Sequence, residues 1–359
     1  MANADGMNYA PRGKVEPVVK KGEFRFSAAG LDHGHIFGMT QGMLDAGGEL
    51  VSVYDPDPAK VKTFSEKFPG VKVEDSLDAL LADKSTHMVL CAAITSDRGP
   101  MGLKVLDAGK HYMSDKAPFT TFKQLEDARA KVAETGLHWA VCYSERVQNE
   151  AAVHAGNLIH AGEIGRVIQV LGTGPHRLSA PNRPAWFFEK ARYGGILTDI
   201  GSHQIEQFLH FTGAKSAEVL HSKVGNFAHP DYPELEDFGD ATLLADNGAT
   251  NYFRVDWFTP DGLGTWGDGR TIVLGTEGYI ELRKYIDVAR DPEGDHVYLV
   301  NGSGEHHIPV HGKIGFPYFG ELILDCLNGT DKAMPQEHTF LAAELCMRCQ
   351  DQAQVIHPS

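Results

Sequence analysis

The sequence has little of what marks membrane, secreted or nucleic-acid-binding proteins. No apolar run approaches the roughly 18 residues of a membrane-spanning helix. Five cysteines scattered over 359 residues do not suit a disulfide framework, and they favour reduced thiols and a cytoplasmic location. Lysine and arginine number 33 against 48 aspartates and glutamates, and the resulting net charge of −15 repels phosphate backbones. We therefore expect no membrane and no nucleic-acid partner.

Length and composition predict an ordinary globular protein of about two domains. The chain is 42% hydrophobic and 23% charged, which is enough apolar material for a large core. Residues 1–22 lack the apolar segment of a secretory signal and are interpreted as a polar N-terminal arm. The predicted domains are 23–145 and 146–359.

Short apolar strands alternate with amphipathic helices in the first domain. The predicted strands are 24–29, 50–54, 71–73, 87–93, 111–114 and 138–143. The predicted helices are 36–46, 58–68, 77–82, 100–108 and 122–135. This alternation implies parallel strands covered on both faces, so the predicted fold class is α/β with a Rossmann-like, doubly wound parallel sheet.

The pattern changes after residue 143 and predicts an α+β domain with a large, mainly antiparallel open sheet. Helices are expected at 150–160 and 198–211, and a strand at 167–173. The stretch "DATLLADNGATNYFRVDWF" predicts a hairpin whose Asn247-Gly248 is typical of a type I′ turn, and "HVYLVNGSGEHHIPV" predicts another. We expect a second subunit to cover the outer face of the sheet. The aromatic candidates for that face are Tyr252, Trp257, Phe258 and Tyr279.

The turn "GLDHGH" after the first strand is the first candidate binding element. Backbone N–H groups at the start of the next helix favour a pyrophosphate there, and histidines can donate to phosphate oxygens. The predicted cofactor contacts are Gly30, Asp32, His33, His35 and Ile36. Asp32 stands where a phosphate-binding loop carries a glycine, and we interpret it as a helix cap. Taken alone, the turn suits a nucleotide cradle and a plain strand–helix turn about equally well.

An acidic residue at the end of the second strand favours the nucleotide interpretation. Asp55 follows Gly30 by 25 residues and can accept both ribose hydroxyls of an adenosine. Its carboxylate would repel a 2′-phosphate, so NAD is expected in preference to NADP. The alternative is that Asp55 only opens an Asp-Pro turn. Thr95 and Ser96, after the fourth strand, are expected in a loop that lines the nicotinamide ribose.

Three residues carry the candidate chemistry. Lys116 follows the fifth strand, where it can hydrogen-bond a substrate hydroxyl and favour the deprotonated form, and it is also a predicted cofactor contact. Asp199 and His203 are four apart, which places them on one face of a helix. The imidazole can take a hydroxyl proton while hydride leaves the same carbon. The alternatives are a surface lysine, a capping Asp199 with a satisfied interfacial histidine, and a metal held by His203 and Glu206.

In this order the motifs resemble those of the glucose–fructose oxidoreductase, inositol dehydrogenase and rhizopine-catabolism (Gfo/Idh/MocA) family, over roughly residues 24–355. "SDKAP" is similar to the family's Glu-Lys-Pro motif, and "TDIGSH" matches its D-x-x-x-H motif. Asp32 and Ala117 depart from the family pattern. The resemblance implies an NAD(P)-binding N-terminal domain and an open C-terminal sheet that forms homodimers or homotetramers. It also implies a catalytic group of Lys116, Asp199 and His203, and sugar or cyclitol substrates.

Together these features predict an NAD-dependent dehydrogenase that oxidises a secondary alcohol of a sugar, cyclitol or related polyol. His176, Arg177 and Trp186 are further candidates for substrate contacts, besides Lys116, Asp199 and His203, and no resident metal is expected. The first rival is a lyase or glycoside-cleaving enzyme that recycles tightly bound NAD. The second is a non-catalytic regulator that senses NAD or sugar. The sequence leaves the specific substrate, the direction of the reaction and the oligomer size open.

Overall fold

A computed structural model of the chain describes residues 6–357 and divides it into two compact units. The first unit comprises Met7–Cys142 and Gly315–Phe340, and the second comprises Gly6, Tyr143–Ile314 and 341–357. Residues 315–340 therefore group with the first unit, although the sequence placed them in the C-terminal domain. The first five residues of the predicted arm lie outside the described residues.

The first unit is built on a six-stranded parallel sheet. Its strands are β1 (Arg25–Ala29), β2 (Glu49–Tyr54), β3 (Lys72–Val73), β4 (Met88–Cys91), β5 (His111–Asp115) and β6 (Trp139–Cys142). Their order is β3-β2-β1-β4-β5-β6, and each neighbouring pair is parallel. The side chains of β4 and β6 are all buried, as expected for a sheet covered on both faces. The predicted doubly wound sheet is confirmed.

Helices of the first unit cross between these strands. They are α1 (His35–Asp45), α2 (Pro58–Lys67), α3 (Leu77–Ala82), α4 (Thr95–Asp107) and α5 (Phe122–Thr135). Three begin at side-chain caps, where Asp57, Ser76 and Thr121 accept a backbone N–H two or three residues later. Pro58 also suits its place in the first turn of α2, where no N–H is needed.

Helix α4 begins at Thr95, five residues before the predicted start at Pro100. The prediction was wrong because a proline usually marks a helix start, and here it lies inside the helix. Pro100 has no N–H for the carbonyl of Ser96, four residues earlier. The side chain of Gln124 in α5 donates to that carbonyl instead, at 2.8 Å. The helix therefore tolerates the proline through a bond that comes from another element.

The second unit is built on a nine-stranded mixed sheet. Its strands are β7 (Val167–Pro175), β8 (Ala217–Gly225), β9 (Phe238–Ala245), β10 (Thr250–Asp256), β11 (Arg270–Gly275), β12 (Gly278–Arg283), β13 (His296–Asn301), β14 (Gly304–Pro309) and β15 (Gln354–Ile356). The order is β14-β13-β12-β11-β7-β10-β9-β8-β15. Only the pairs β7–β10 and β8–β15 are parallel. The predicted, mainly antiparallel sheet is confirmed, as are both hairpins.

The helices of the second unit are α6 (Ser144–Val147), α7 (Glu150–His160), α8 (Lys190–Tyr193), α9 (Ile196–Asp199) and α10 (Gly201–Thr212). Helix α10 packs on β7, where glycines leave room for it. A Cβ at Gly174 would lie 2.9 Å from the side-chain nitrogen of Gln204 on α10. Within residues 6–357, no helix combines the length and the apolar character that a membrane crossing requires.

The turn between β9 and β10 differs from its predicted type. A type I′ turn needs positive φ at both central residues, but only Gly248 has it, at +85°. Gly248 N–H donates to Ala245, and Ala245 N–H donates to the carbonyl of Ala249. This arrangement is a three-residue loop with glycine in the left-handed position. The side chain of Asn247 favours it by accepting the N–H of Ala249 at 3.1 Å.

One face of the large sheet exposes apolar side chains. Exposed apolar residues of the central strands are Leu171, Tyr252, Ile272, Leu274 and Tyr279. Of the four aromatic candidates, Tyr252, Phe258 and Tyr279 are exposed as expected. Trp257 is 6% exposed, because it lies beside the rings of His176 and Phe187. That part of the prediction was wrong.

Segment 315–340 contains α11 (Pro317–Asn328) and the beginning of α12 (Gln336–Asp351). Helix α11 packs on α1, where a Cβ at Gly42 would lie 2.5 Å from the ring of Phe319. Strand β6 is an edge strand, and the side chain of Gln336 binds both backbone groups of Trp139 there, each at 2.9 Å. These contacts explain why the segment belongs to the first unit.

The N-terminal segment also packs on the first unit. The backbone of Glu16 and Val18 donates to the carbonyls of Asp45 and Ala46 at the end of α1, at 3.1 and 2.9 Å. These bonds tie the described part of the predicted polar arm to the domain.

The lowered pKa of His111 makes the stability of the first unit depend on pH. Burial, assisted by the charges of His138 and His87, lowers the pKa of His111 to about 4. In the unfolded chain the imidazole binds a proton near pH 6.5, whereas in the folded protein it does so only near pH 4. The contribution of His111 to the free energy of unfolding is therefore complete above pH 6.5 and is lost as pH falls towards 4. We expect His111→Asn, which retains an acceptor for the N–H of His138, to lose less stability than wild type over that range.

Urea unfolding at pH 7.5 and pH 5 measures the difference, with the exposed His306→Asn as control. Equal losses of stability in wild type and His111→Asn would contradict the assignment.

Candidate active site

The order of strands opens a crevice between β1 and β4, where the chain reverses direction across the sheet. Gly30 directly follows β1 with φ +72°, and a Cβ there would lie 2.8 Å from that of Ala93. The turns after β1 and β4 are joined by two backbone bonds, His33 N–H to Ala92 at 2.8 Å and Ala92 N–H to Gly30 at 3.0 Å. This close approach requires glycine and fits the place where such sheets bind dinucleotides.

Asp32 does not cap α1, contrary to the prediction. The N-cap is Gly34, which has no side-chain cap bond. Asp32 instead accepts from Lys60 Nζ at 2.6 Å and from the N–H of Ile94 at 3.3 Å. Its carboxylate therefore links the turn after β1 to α2 and to the turn after β4. The prediction failed because both partners come from elsewhere in the sequence.

Asp55 lies at the end of β2 with its side chain almost completely buried. One carboxylate oxygen accepts the N–H of Leu31 at 2.6 Å, and the other accepts the N–H of Asp57 at 2.8 Å. The ammonium of Lys60 is 4.0 Å away. Asp55 thus orders the Asp-Pro turn, as the alternative interpretation held, and its charge also lies beside the glycine turn.

His33 and His35 meet the carboxylate of Asp115, which is completely buried at the end of β5. His35 Nδ1 is 2.9 Å from Asp115 Oδ1, and His33 Nδ1 is 3.3 Å from Oδ2. Burial would raise the pKa of Asp115, but His35, Arg98 and His33 outweigh it and hold the pKa well below its usual range. Burial and then the charge of His35 hold the pKa of His33 well below its usual range.

The other predicted cofactor residues lie on helix ends. Ile36, in the first turn of α1, is completely buried, and its backbone N–H donates to the carbonyl of His33 at 3.2 Å. Thr95 and Ser96 were predicted to lie in a loop, but they are the first two residues of α4. Thr95 is buried and Ser96 is partly exposed. They lie directly after the turn that contacts Asp32.

Lys116 is buried directly after β5, so the surface-lysine alternative is wrong. Its N–H donates to Asp115 Oδ1 at 2.8 Å, and its carbonyl accepts from Arg98 Nη1. The peptide bond between Lys116 and Ala117 is cis. Arg98 is a residue that sequence reasoning missed, and the only available signal was an arginine within the otherwise small-residue start of α4.

In the second unit, Asp199 ends α9 and His203 lies in the first turn of α10. Only Ile200 separates the two helices, and its backbone angles are helical, so the predicted one-turn spacing holds. Asp199 is partly exposed and His203 is 2% exposed. Gly195 precedes them with φ +92°, and its close neighbour is the side chain of Gln350 in α12.

Glu206, the rival metal ligand, pairs with a cation of the protein. Its carboxylate oxygen lies 2.6 Å from Nε of Arg146, and both side chains are buried. A guanidinium at this carboxylate occupies the charge that a metal ion would need. The geometry therefore disfavours a metal held by His203 and Glu206.

A buried polar network that the sequence analysis did not identify adjoins α10. Glu145 accepts from Lys284 Nζ at 2.7 Å and from Gln204 at 3.2 Å, and all three side chains are almost fully buried. His176 Nε2 is 3.9 Å from the other oxygen of Glu145. The signal for it was a pair of charges, Glu145 and Arg146, at the end of the apolar run "WAVCYSERVQ".

Two of the loop candidates lie among aromatic rings. His176 is buried with Nδ1 3.1 Å from the carbonyl oxygen of Gly174. Its ring centroid is 5.4 Å from that of Trp257 and 4.4 Å from that of Trp266. Trp186 is half-buried in the same loop region.

Arg177 is almost fully buried, and its guanidinium holds a neighbouring loop. Nη2 donates to the carbonyls of Pro260 and Leu263, at 2.9 and 2.8 Å. These contacts give Arg177 a packing role in this structure, which was the alternative to substrate binding.

Comparison with known proteins agrees with both halves of the chain. Residues 27–143 match the family described as an oxidoreductase family with an NAD-binding Rossmann fold, and residues 153–281 match the GFO/IDH/MocA C-terminal domain. A structure from Erwinia carotovora atroseptica, described as that of an oxidoreductase, is 50% identical. It covers 93% of this chain and 100% of its own, with a TM-score of 0.91.

Curated relatives are more distant. The scyllo-inositol 2-dehydrogenase (NAD(+)) of Bacillus subtilis is 28% identical over 264 residues, 72% of this chain and 71% of that protein. A levoglucosan dehydrogenase, solved with NADH and L-sorbose, is 17% identical with a TM-score of 0.75, covers 92% of this chain and 97% of its own, and shows the shared fold. With the matches to both domains and the 50% identical structure, these findings establish that the chain belongs to the Gfo/Idh/MocA oxidoreductase family and carries its NAD-binding Rossmann fold.

Proposed function

We propose that this oxidoreductase is an NAD-dependent dehydrogenase that acts on a secondary alcohol of a sugar, cyclitol or related polyol. The observation that carries the proposal is a buried lysine fixed at the carboxyl end of β5 in an NAD-binding unit. The relatives support the substrate class, because they are named as dehydrogenases of scyllo-inositol and D-xylose.

The crevice between β1 and β4 fits the dinucleotide. Gly30 has the left-handed backbone that the turn requires, and Asp55 supplies an acceptor beside it. When bound, NAD supplies the hydride acceptor. We assign the phosphates to the turn that carries His33 and His35, the adenosine ribose to Asp55, and the nicotinamide ribose to Thr95 and Ser96.

The chain's own residues manage the proton and the orientation of the alcohol. The Nζ of Lys116 donates to the reacting oxygen and stabilises its negative charge as the carbon loses hydride. An imidazole nitrogen of His203 accepts the hydroxyl proton. The carboxylate of Asp199 accepts a hydrogen bond from a neighbouring hydroxyl and fixes the face of the ring. His176 and Trp186 are the further substrate contacts we propose.

A second copy of the chain is the proposed cover for the outer face of the large sheet. The exposed apolar side chains lie on adjacent central strands, because Leu171 pairs with Ile272 and with Tyr252. Charged pairs lie near them: Arg254 with Asp256, Arg270 with Asp268, and Arg283 with Glu281. An apolar centre with both signs of charge around it can be complementary to itself under two-fold symmetry.

Replacing the proposed catalytic lysine tests the reaction. Lys116→Met is expected to lower kcat for the oxidation of a polyol by about 10²- to 10⁴-fold, because the reacting oxygen loses its hydrogen-bond donor. NADH formation over a panel of polyols and aldoses measures the rate, and the exposed Lys123→Met is the control. Equal turnover by Lys116→Met would contradict the role. Purified protein that carries NAD but forms no NADH from any polyol would instead favour a lyase that recycles its cofactor.

The charge of Asp55 tests cofactor choice. Wild type is expected to prefer NAD, and Asp55→Asn is expected to raise the kcat/KM ratio of NADP to NAD by about tenfold or more, because repulsion of the 2′-phosphate is removed. The ratio cancels any general loss of active protein. A wild-type preference for NADP, or an unchanged ratio in the variant, would refute the assignment.

The oligomer prediction concerns Ile272, at the centre of the exposed face. Ile272→Arg is expected to convert a dimer or tetramer to a smaller species, because two buried charges would oppose each other across the interface. Light scattering after size exclusion measures the mass, with Leu327→Arg on α11 as an equally exposed apolar control. A monomeric wild type at micromolar concentration would overturn the proposal.

A further inference from the structure

Arg98 links the ends of two strands in the first unit. Its side chain is 1% exposed, and Nε donates to the carbonyl of Ala93 at 2.8 Å, just after β4. Nη1 donates to the carbonyl of Lys116 and, at 3.0 Å, to that of Ala117. Nη2 lies 3.1 Å from Asp115 Oδ2. A single guanidinium therefore joins the segment after β4 to the segment after β5.

Asp115 completes this arrangement from the other side. Its Oδ1 accepts the N–H of Lys116 at 2.8 Å, while Arg98 binds the carbonyl of the same residue. Both backbone hydrogen-bonding groups of Lys116 are thus engaged by one buried ion pair. The remaining contacts of the carboxylate reach His35 at 2.9 Å and His33 at 3.3 Å in the turn after β1.

We propose that Arg98 and Asp115 are positioning residues for Lys116. His35 joins the turn after β1, to which we assign the dinucleotide, to the same carboxylate. The proposal rests on the proposed function, in which the ammonium of Lys116 meets the reacting oxygen. Arg98 acts through the backbone of Lys116 and not on the substrate.

The ion pair is a better device for orientation than for stability. Burying a guanidinium and a carboxylate carries a large desolvation cost, and an apolar pair of similar volume is often as stable. Only a planar guanidinium, with five N–H donors in fixed directions, can bind a carboxylate and three carbonyls together. Misplacing a catalytic group by about 1 Å can reduce the rate about 100-fold, so this fixation has a catalytic consequence.

Five ionisable groups interact with this carboxylate or lie beside it. They are Arg98 from α4, His33 and His35 from the turn after β1, Lys116 from the same segment, and Cys142 from β6. Arg98 is the member that is charged at every accessible pH. Removing it changes both the charge near Lys116 and the place of its backbone, so the pH profile of kcat reports the proposed role.

The test compares Arg98→Met and Arg98→Lys with Lys110→Met. Lys110 is a matched control because it is also a buried cation of the first unit that donates to two backbone carbonyls, those of Asp83 at 2.5 Å and Thr86 at 3.1 Å. We expect Arg98→Met to lower kcat about 100-fold and to shift its pH profile, with the Kd for NADH within about threefold of wild type. Arg98→Lys is expected to recover part of kcat, and Lys110→Met to lower only the melting temperature.

His35→Asn separates the two ends of the network. It is expected to weaken NADH binding more than it lowers kcat, because His35 lies on the dinucleotide turn. Asp115→Asn is expected to impair both quantities. If Arg98→Met does not fold, Arg98→Lys and Asp115→Asn decide the question with the same measurements.

The outcomes separate this proposal from the proposed function. Failure of wild type to form NADH from any polyol or aldose would remove the function itself, and full activity in Lys116→Met would remove the role of Lys116 on which the positioning proposal rests. Loss of activity in Lys116→Met, with a wild-type kcat and pH profile in Arg98→Lys and Asp115→Asn, would overturn the positioning role alone. Parallel losses of melting temperature and kcat in Arg98→Met and Lys110→Met, without a shifted pH profile, would reduce Arg98 to a structural residue and overturn the proposal as well.

Discussion

The reversal of chain direction between β1 and β4 is the constraint on which the rest of the first unit depends. Strands on either side of it lead their turns in opposite directions, which leaves a crevice at the carboxyl edge of the sheet. Gly30 allows the two turns to touch, and the carboxylate of Asp32 binds across them. In this unit, every residue that we assign to cofactor binding or to proton transfer lies at or directly after the carboxyl end of a strand.

Carboxylates at the strand ends serve local order and chemistry together. Asp32, Asp55 and Asp115 each accept at least one backbone N–H, and each also lies within 4.0 Å of a cation or an imidazole. In an acidic chain these groups would repel one another without such partners. Lys60 and Arg98 therefore fix the shape of the crevice while they balance its charge.

Much of the fold could be predicted because it depends on periodicity, which a single sequence displays. The six parallel strands, the mixed sheet and the one-turn spacing of Asp199 and His203 follow from local patterns. The errors at Asp32 and at the start of α4 arose where a distant residue decides. The partners of Asp32 lie 28 and 62 residues away, and Gln124 satisfies the carbonyl freed by Pro100. Likewise, no local pattern joins His35 to Asp115, 80 residues later.

The side chain of Gln336, far along the chain, affects whether the N-terminal half can be used as a separate domain. It occupies the hydrogen-bonding groups of Trp139 that would otherwise face solvent as an open strand edge. A fragment cut after Cys142 would contain all six strands of the sheet. Its edge strand β6 would be exposed and could pair with other copies of the fragment. The first unit includes residues 315–340, so moving it into another protein with this strand edge covered requires the later segment as well.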